Sequence, residues 1–108
     1  QYYIEVANMP TTNEALEYLQ KNVKIVAPSK AVNAGGVATS ALEMAQNSMR
    51  YSWEPAEVDA KLHGIMKNIH DESAKAAEEC GMGYDLVAGA NIAGFKKVAE
   101  AMMAEGLI

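Results

Sequence analysis

The stretch "YYIEVANMPTTNEALEYLQKNVKIVAP", residues 2–28, decides the fold class of this 108-residue chain. It contains two short runs rich in apolar and β-branched residues, 2–7 and 23–28, and a proline follows or closes each run. Runs of this composition and length predict strands. If the segment between them is helical, the unit is βαβ, and we expect parallel strands joined by a right-handed crossover.

The connecting segment carries the signals of a helix. Thr11 and Glu14 have the spacing of a capping box, in which a hydroxyl and a carboxylate each satisfy a free backbone N–H group. Leu16 and Leu19 then lie three residues apart and supply an apolar face. Together these features predict a helix over residues 12–21.

The remaining chain has a helical pattern. It predicts a helix over 36–50, a second that opens at Pro55 and runs to Glu79, and a third that begins at Asn91, with the segment 84–90 as a loop or short turn. The second helix has the strongest amphipathic pattern in the chain, formed by Val58, Leu62, Ile65, Met66 and Ile69. The third is expected to turn Ile92, Phe95, Ala99 and Met102 inward.

Two parallel strands do not form a stable sheet by themselves, so further strands are expected from elsewhere. The chain also opens almost directly on a strand, without an initiator Met and without the pattern of a signal peptide. Both observations predict that these residues are a piece of a longer polypeptide. Truncated strand edges make dimerisation of the isolated chain an expectation.

Composition narrows the class of partner. Nine basic and fourteen acidic residues give a net charge of -5, and the basic residues are scattered, which argues against a nucleic-acid partner. No apolar run is long enough for a membrane span. The single cysteine, Cys80, fits a reducing compartment, and we expect a cytoplasmic protein. His63 and His70 lie seven residues apart, too far for a helical metal pair, so no metal site is predicted.

Asparagine-bearing turns follow both predicted strands. Asn8 follows the first, and Asn33 with Gly35 and Gly36 follows the second. Each has an ordinary interpretation, because Asn tolerates left-handed backbone and paired glycines form hinges. However, the carboxyl ends of parallel strands share one rim of a sheet, where open α/β folds gather their ligands. A shared ligand groove is therefore the second interpretation.

The blocks "EVANMPTTNEAL", "VAPSKAVNAGGVATSALEMAQNSMRYSW", "EVDAKLHGIMKNIH" and "GANIAGFKKVAEAMMAEG" closely resemble the C-terminal quarter of hexameric glutamate dehydrogenases, in the Glu/Leu/Phe/Val dehydrogenase family. The match covers essentially the whole chain, with the blocks in the family's order. The "SKAVNAGG" form is similar to the bacterial, often NADP-linked, branch. The resemblance implies NAD(P)-dependent oxidative deamination of L-glutamate to 2-oxoglutarate and ammonia, and the reverse amination, by a homo-hexamer.

The resemblance also implies roles for individual residues. Ala7 and Asn8 match the turn that borders the nicotinamide ribose, and Asn33 matches the asparagine that contacts the nicotinamide end of the cofactor, NADP or NAD. Val37 matches the apolar wall of the glutamate side-chain pocket. Ser40 matches the serine that hydrogen-bonds the γ-carboxylate. The family's catalytic lysine and aspartate have no counterpart here, so no catalytic residue is assigned and the isolated chain is expected to be inactive.

The sequence therefore predicts an α/β fragment that is mainly α: a βαβ remnant of a doubly wound, Rossmann-like parallel sheet, followed by three helices. Residues 1–34 would end a dinucleotide-binding domain, and residues 35–108 would form a helical segment packing back between the cofactor and substrate domains. Two other classes compete. One is a stand-alone interaction module with Met-rich helical faces; the other is a small NAD(P)-binding protein, which the absence of a G-x-G-x-x-G turn disfavours.

Overall fold

A computed structural model describes residues 1–106. Its elements are β1 (Tyr2–Ile4), α1 (Asn13–Asn22), β2 (Ile25–Ala27), α2 (Ser29–Val32), α3 (Ala34–Met49), α4 (Pro55–Glu79) and α5 (Leu86–Glu105). The chain is mainly helical, as predicted. None of its described helices is both long and apolar enough to cross a membrane.

The two strands pair in parallel, as the βαβ pattern predicted. Tyr2 lies opposite Ile25 and Ile4 opposite Ala27, and each strand has three residues rather than the six predicted. Strand β1 ends earlier than predicted. Strand β2 is shortened at both ends, because Val23 still caps α1 through its N–H to the Leu19 carbonyl and Pro28 already caps α2. The Glu5 N–H still donates to the Ala27 carbonyl at 3.0 Å, one residue past β1.

Helix α1 matches the predicted span to within a residue, but its cap is different. Thr12, not Thr11, adopts the extended N-cap backbone, and its hydroxyl accepts a hydrogen bond from the Ala15 N–H at 3.3 Å. The Thr11 hydroxyl instead hydrogen-bonds to the Tyr3 hydroxyl at 2.6 Å. The prediction of a Thr11–Glu14 capping box was therefore wrong, because Thr11 is engaged by β1.

The segment after β2 is helical earlier than predicted. The four-residue α2 was not anticipated, and α3 begins at Ala34, so Gly35 and Gly36 lie in its first turn. Neither glycine has a positive φ, in contrast to Gly81 and Gly83. The interpretation of the glycine pair as a turn or hinge was wrong, because the helical path is already set before Asn33.

Helix α4 has the predicted bounds, and the five apolar residues of its predicted stripe are half-buried. Helix α5 begins at Leu86 rather than Asn91, so the predicted loop 84–90 is mostly helix. Asp85 causes this early start, since its carboxylate accepts the Ala88 N–H at 3.0 Å and caps the helix.

The α4–α5 pair packs through small residues. Ser73, Ala76 and Ala77 on α4 are buried against Leu86 and Gly89 on α5. The inward face predicted for α5 was correct for Ile92 and Ala99, which are half-buried, but wrong for Met102 and for Phe95, which is 73% exposed. The close contact lies in the first turns of α5, so the later turns project beyond the described core.

The core itself is small and the molecule is open. Within residues 1–106 the buried hydrophobic core consists of Val26, Ala76, Ala77 and Leu86, of which Ala77 alone has no exposed surface. The radius of gyration is 16.4 Å, whereas a compact domain of this length has about 13 Å. The described residues therefore form a flat layer of 48 × 42 × 22 Å rather than a closed globule.

Candidate functional site

The two asparagines that follow the strands are in direct contact. The Asn33 side-chain amide donates to Asn8 Oδ1 at 2.7 Å, across 25 positions of sequence. The bond is a consequence of the parallel register, which brings the carboxyl ends of β1 and β2 to one rim. The structure therefore brings together the residues that the sequence placed on a shared groove.

Each asparagine is presented by a specific local backbone. Asn8 and the adjacent Ala7 lie in the exposed turn after β1, where Met9 adopts a left-handed backbone with φ of 49°. Asn33 lies between two helices, as the C-cap of α2 and the N-cap of α3, with φ of -77° and ψ of -8°. One amide thus comes from a strained turn and the other from a helical junction.

Val37 and Ser40 continue the same surface along α3. They lie four and seven positions beyond Asn33, and residues with this spacing share one face of a helix. Both are exposed, Val37 at 74%. The Ser40 side chain is therefore accessible from outside the helix.

The asparagine pair has hydrogen-bonding capacity left over. Their mutual bond uses Asn8 Oδ1 and one N–H of Asn33. It leaves Asn8 Nδ2 as a donor and Asn33 Oδ1 as an acceptor, both on the sheet rim. This surface can therefore recognise a group that carries a donor and an acceptor side by side.

His70 is the centre of a separate polar cluster. Its Nδ1 lies 3.0 Å from Asp71 Oδ1 and its Nε2 lies 2.6 Å from the Tyr84 hydroxyl. Hydrogen bonds from Lys67 and His70 hold the pKa of the Asp71 carboxyl below its usual value. The contact between His70 and Tyr84 joins α4 to the connection that precedes α5. Within residues 1–106 no three His, Cys, Asp or Glu side chains are arranged to hold a metal ion.

Glu5 was missed by the sequence reasoning. It is only 6% exposed, and its Oε2 accepts a hydrogen bond from the Ser29 N–H at 3.2 Å, at the start of α2. The available signal was a single carboxylate inside the apolar run 2–7. That signal identifies an unusual residue but not its partner, because the partner is a backbone group 24 positions away.

The Asn8–Asn33 contact lies beyond the carboxyl ends of two parallel strands, the side on which open α/β sheets bind their ligands. The profile of the Glutamate/Leucine/Phenylalanine/Valine dehydrogenase family matches residues 1–106, and the chain belongs to this family. The resemblance stated from the sequence is thereby confirmed.

Individual relatives in this family are similar to the chain over nearly its whole length. The NAD-specific glutamate dehydrogenase of Clostridium symbiosum is 67% identical over 108 residues, covering 99% of this chain and 24% of the relative. The NADP-specific glutamate dehydrogenase of Escherichia coli (strain K12) is 56% identical over 104 residues, covering 96% of this chain and 23% of the relative. The chain thus spans about a quarter of the length of the curated relatives that it matches.

Solved structures show the same fold. A glutamate dehydrogenase structure superposes with a TM-score of 0.90 at 66% identity, over 99% of this chain and 24% of the other. Plasmodium falciparum glutamate dehydrogenase 2 superposes with a TM-score of 0.87 at 51% identity, over 96% of this chain and 23% of the other. The open, flat layer described above is therefore similar to one portion of a larger enzyme fold.

Proposed function

We propose that this chain is the C-terminal part of an NAD(P)-dependent glutamate dehydrogenase. The whole enzyme would convert L-glutamate and water to 2-oxoglutarate and ammonia, and run the reverse amination. Membership of the dehydrogenase family supports this proposal. The structural observation that carries it is the Asn33–Asn8 hydrogen bond, which joins the turn after β1 to the α2–α3 junction and forms one polar rim beside Val37 and Ser40 on α3.

The rim fits the amide end of a nicotinamide cofactor. When bound, the nicotinamide ring accepts the hydride that leaves the Cα of glutamate. A carboxamide presents one carbonyl acceptor and an amino donor, which match the remaining Asn8 Nδ2 donor and Asn33 Oδ1 acceptor. In this proposal Asn8 and Asn33 orient the cofactor, and Ala7 borders the ribose without adding bulk.

The face of α3 would hold the substrate. Val37 offers an apolar wall for the methylene groups of glutamate, and Ser40, one turn further, offers a hydroxyl donor to the γ-carboxylate. Because residues at this spacing share one face, they can contact the two ends of one short side chain. Asn33 at the start of the same helix would then keep cofactor and substrate adjacent.

Residues 1–34 would end the dinucleotide-binding domain, and the two strands would extend a doubly wound sheet. Residues 35–108 would pack back between the cofactor and substrate domains. The enzyme would be a cytoplasmic homo-hexamer. Relatives named as NAD-specific and as NADP-specific match this stretch, so either cofactor is compatible with its sequence. The catalytic lysine and aspartate would lie in the rest of the enzyme, and the isolated chain would be inactive.

Substitution of Ser40 tests the substrate assignment. In the full-length enzyme, Ser40→Ala should raise the glutamate KM roughly tenfold or more, since a hydrogen bond to a charged group contributes about 1.5–3 kcal/mol. Steady-state kinetics with varied glutamate measures this, with the cofactor KM followed in parallel and expected to stay constant. Ser48→Ala is the matched control, because Ser48 is also exposed on α3 but lies eight positions further along. Equal glutamate KM values in Ser40→Ala and Ser48→Ala would remove Ser40 from the substrate pocket.

A further inference from the structure

Glu5 is an ionisable residue that the proposed reaction does not use. In a chain with very few buried residues, Glu5 is nevertheless buried, with 6% exposure of the residue as a whole, and its carboxylate accepts a hydrogen bond in a partly buried position. Enclosing a carboxylate is unfavourable unless hydrogen bonds compensate for the lost hydration. The hydrogen bonds of Glu5 therefore show which parts of the fold its burial holds together.

Those contacts join the end of β1 to the start of α2. Glu5 Oε2 accepts the Ser29 N–H at 3.2 Å, and the Glu5 N–H donates to the Ala27 carbonyl at 3.0 Å. Ser29 is the first residue of α2, a position whose N–H has no partner within a helix. The side chain of Glu5 thus supplies a partner that the four-residue helix cannot supply itself.

The Glu5–Ser29 bond lies at the base of the asparagine pair. Asn8 is three positions after Glu5, and Asn33 is four positions after Ser29. The Asn33 N–H bonds back to the Ser29 carbonyl at 2.8 Å, so a single helical turn separates them. The chain therefore runs three residues from Glu5 to Asn8 and four from Ser29 to Asn33, so the Glu5–Ser29 hydrogen bond and the Asn33–Asn8 hydrogen bond connect the same two segments.

We propose that Glu5 is a positioning residue for the cofactor: its carboxylate fixes the start of α2 so that Asn33 meets Asn8 in the orientation required for binding. This proposal rests on the proposed function, because it presumes that the asparagines contact the cofactor. Glu5 itself touches no reactant and acts through Asn33.

A second tether allows this role to be tested without loss of the helix. Lys30 in α2 donates from Nζ to Asn91 Oδ1 on α5. When the Glu5 carboxylate is removed, α2 remains attached to α5 through this bond. The expected consequence is a displaced Asn33 rather than an unfolded segment.

The test is a double-mutant cycle in the full-length enzyme, with the dissociation constant of the reduced nicotinamide cofactor measured by fluorescence titration. Glu5→Ala should weaken cofactor binding about tenfold, the scale of one hydrogen bond to a charged group. Glu5→Gln should recover most of the affinity, because its amide oxygen accepts the same N–H. The decisive variant is Glu5→Ala combined with Asn33→Ala, which should bind no more weakly than Asn33→Ala alone, since residues that act through one another are not additive.

A control separates positioning from general destabilisation. Asp85→Ala removes a helix cap on α5 and should lower the melting temperature while leaving the cofactor dissociation constant unchanged. If Glu5→Ala does not fold, Ser29→Pro removes the same hydrogen bond from the donor side, at the one helical position that accepts proline. It should show the same weakening and the same lack of additivity.

The outcomes are distinguishable. If Asn33→Ala leaves cofactor binding unchanged, the asparagine assignment in the proposed function is wrong, and the role of Glu5 fails with it. If Asn33→Ala weakens binding but Glu5→Ala and Ser29→Pro do not, only the positioning role is wrong. Fully additive effects of Glu5→Ala and Asn33→Ala would also overturn it, because Glu5 would then act independently of Asn33.

Discussion

Gly89 is the residue on which the packing of α5 against α4 most depends. A β-carbon at this position would lie 1.9 Å from the Ser73 carbonyl oxygen and 3.2 Å from the Ala77 β-carbon. The first of these contacts involves the backbone of α4, which cannot rotate away. The two helices would have to separate to admit even one methyl group.

We therefore expect Gly89→Ala to destabilise the full-length protein by about 3 kcal/mol, the upper range for overpacking a well-fitted contact. The measurement is the midpoint of urea unfolding. Gly94→Ala is the control on the same helix, because a β-carbon there meets no atom within 4 Å. It should be neutral or stabilising by up to about 1 kcal/mol, from the helix propensity of Ala over Gly. Equal midpoints for the two variants would contradict the close approach at Gly89.

At the scale of single residues, the sequence was informative where the proximity of two side chains follows from topology alone. Asn8 and Asn33 could be placed on one rim because parallel strands end on the same side of a sheet, and the structure brings them to 2.7 Å. Glu5 could not be assigned in the same way, because its partner is a backbone N–H group 24 positions away. Backbone groups carry no sequence signal.

At the scale of elements, the start of α5 depends on Asp85. Its carboxylate accepts the Ala88 N–H at 3.0 Å and also lies within 3.3 Å of the Gln20 amide of α1. Asp85 therefore both caps α5 and joins it to α1.

Asp85→Ala should cost about 1 kcal/mol through the lost cap. Gln20→Ala removes only the exposed contact between α1 and α5, so it should cost less than half as much. Urea unfolding of the two variants in the full-length protein separates the contribution of the helix cap from that of the Gln20–Asp85 contact. A larger loss in Gln20→Ala would mean that the inter-element bond, and not the cap, is the main contribution.

The same elements show why helix prediction succeeded for α4 and failed for α5. In α4, bulky apolar residues such as Leu62 and Ile69 recur with helical spacing, and Pro55 marks the start. In α5 the buried positions include Gly89, and the half-buried ones include Ala90. Small residues give little periodic contrast, so the first five residues of the helix resemble a loop.

At the scale of the whole molecule, the exposed surface is too large for a self-sufficient domain. The accessible surface area is 8091 Å², whereas a compact monomer of 11.6 kDa exposes about 5,800 Å². Large apolar side chains contribute to this excess, among them Met9 at 86%, Met103 at 77% and Phe95 at 73% exposure. Of the methionines that favoured an interaction module, Met44, Met49, Met102 and Met103 belong to this exposed surface, whereas Met66 is half-buried.

We therefore expect the isolated 108-residue chain to self-associate when expressed alone. Size-exclusion chromatography with light scattering should give a mass above 11.6 kDa that rises with protein concentration. The same sample should form no reduced nicotinamide cofactor from glutamate. A concentration-independent monomer would contradict the argument from surface area, and measurable turnover would contradict the assignment of the catalytic groups to the rest of the enzyme.

The contact between α3 and α4 has a chemical consequence of its own. A β-carbon at Gly35 would lie 3.2 Å from Met66 Sδ, so a sulfur atom sets the spacing between α4 and the helical turn that follows Asn33. Oxidants convert a thioether to a larger, polar sulfoxide, and methionine sulfoxide reductases reverse the change. We therefore expect oxidation of Met66 to change the spacing between α4 and the first turn of α3, the helix that Asn33 caps.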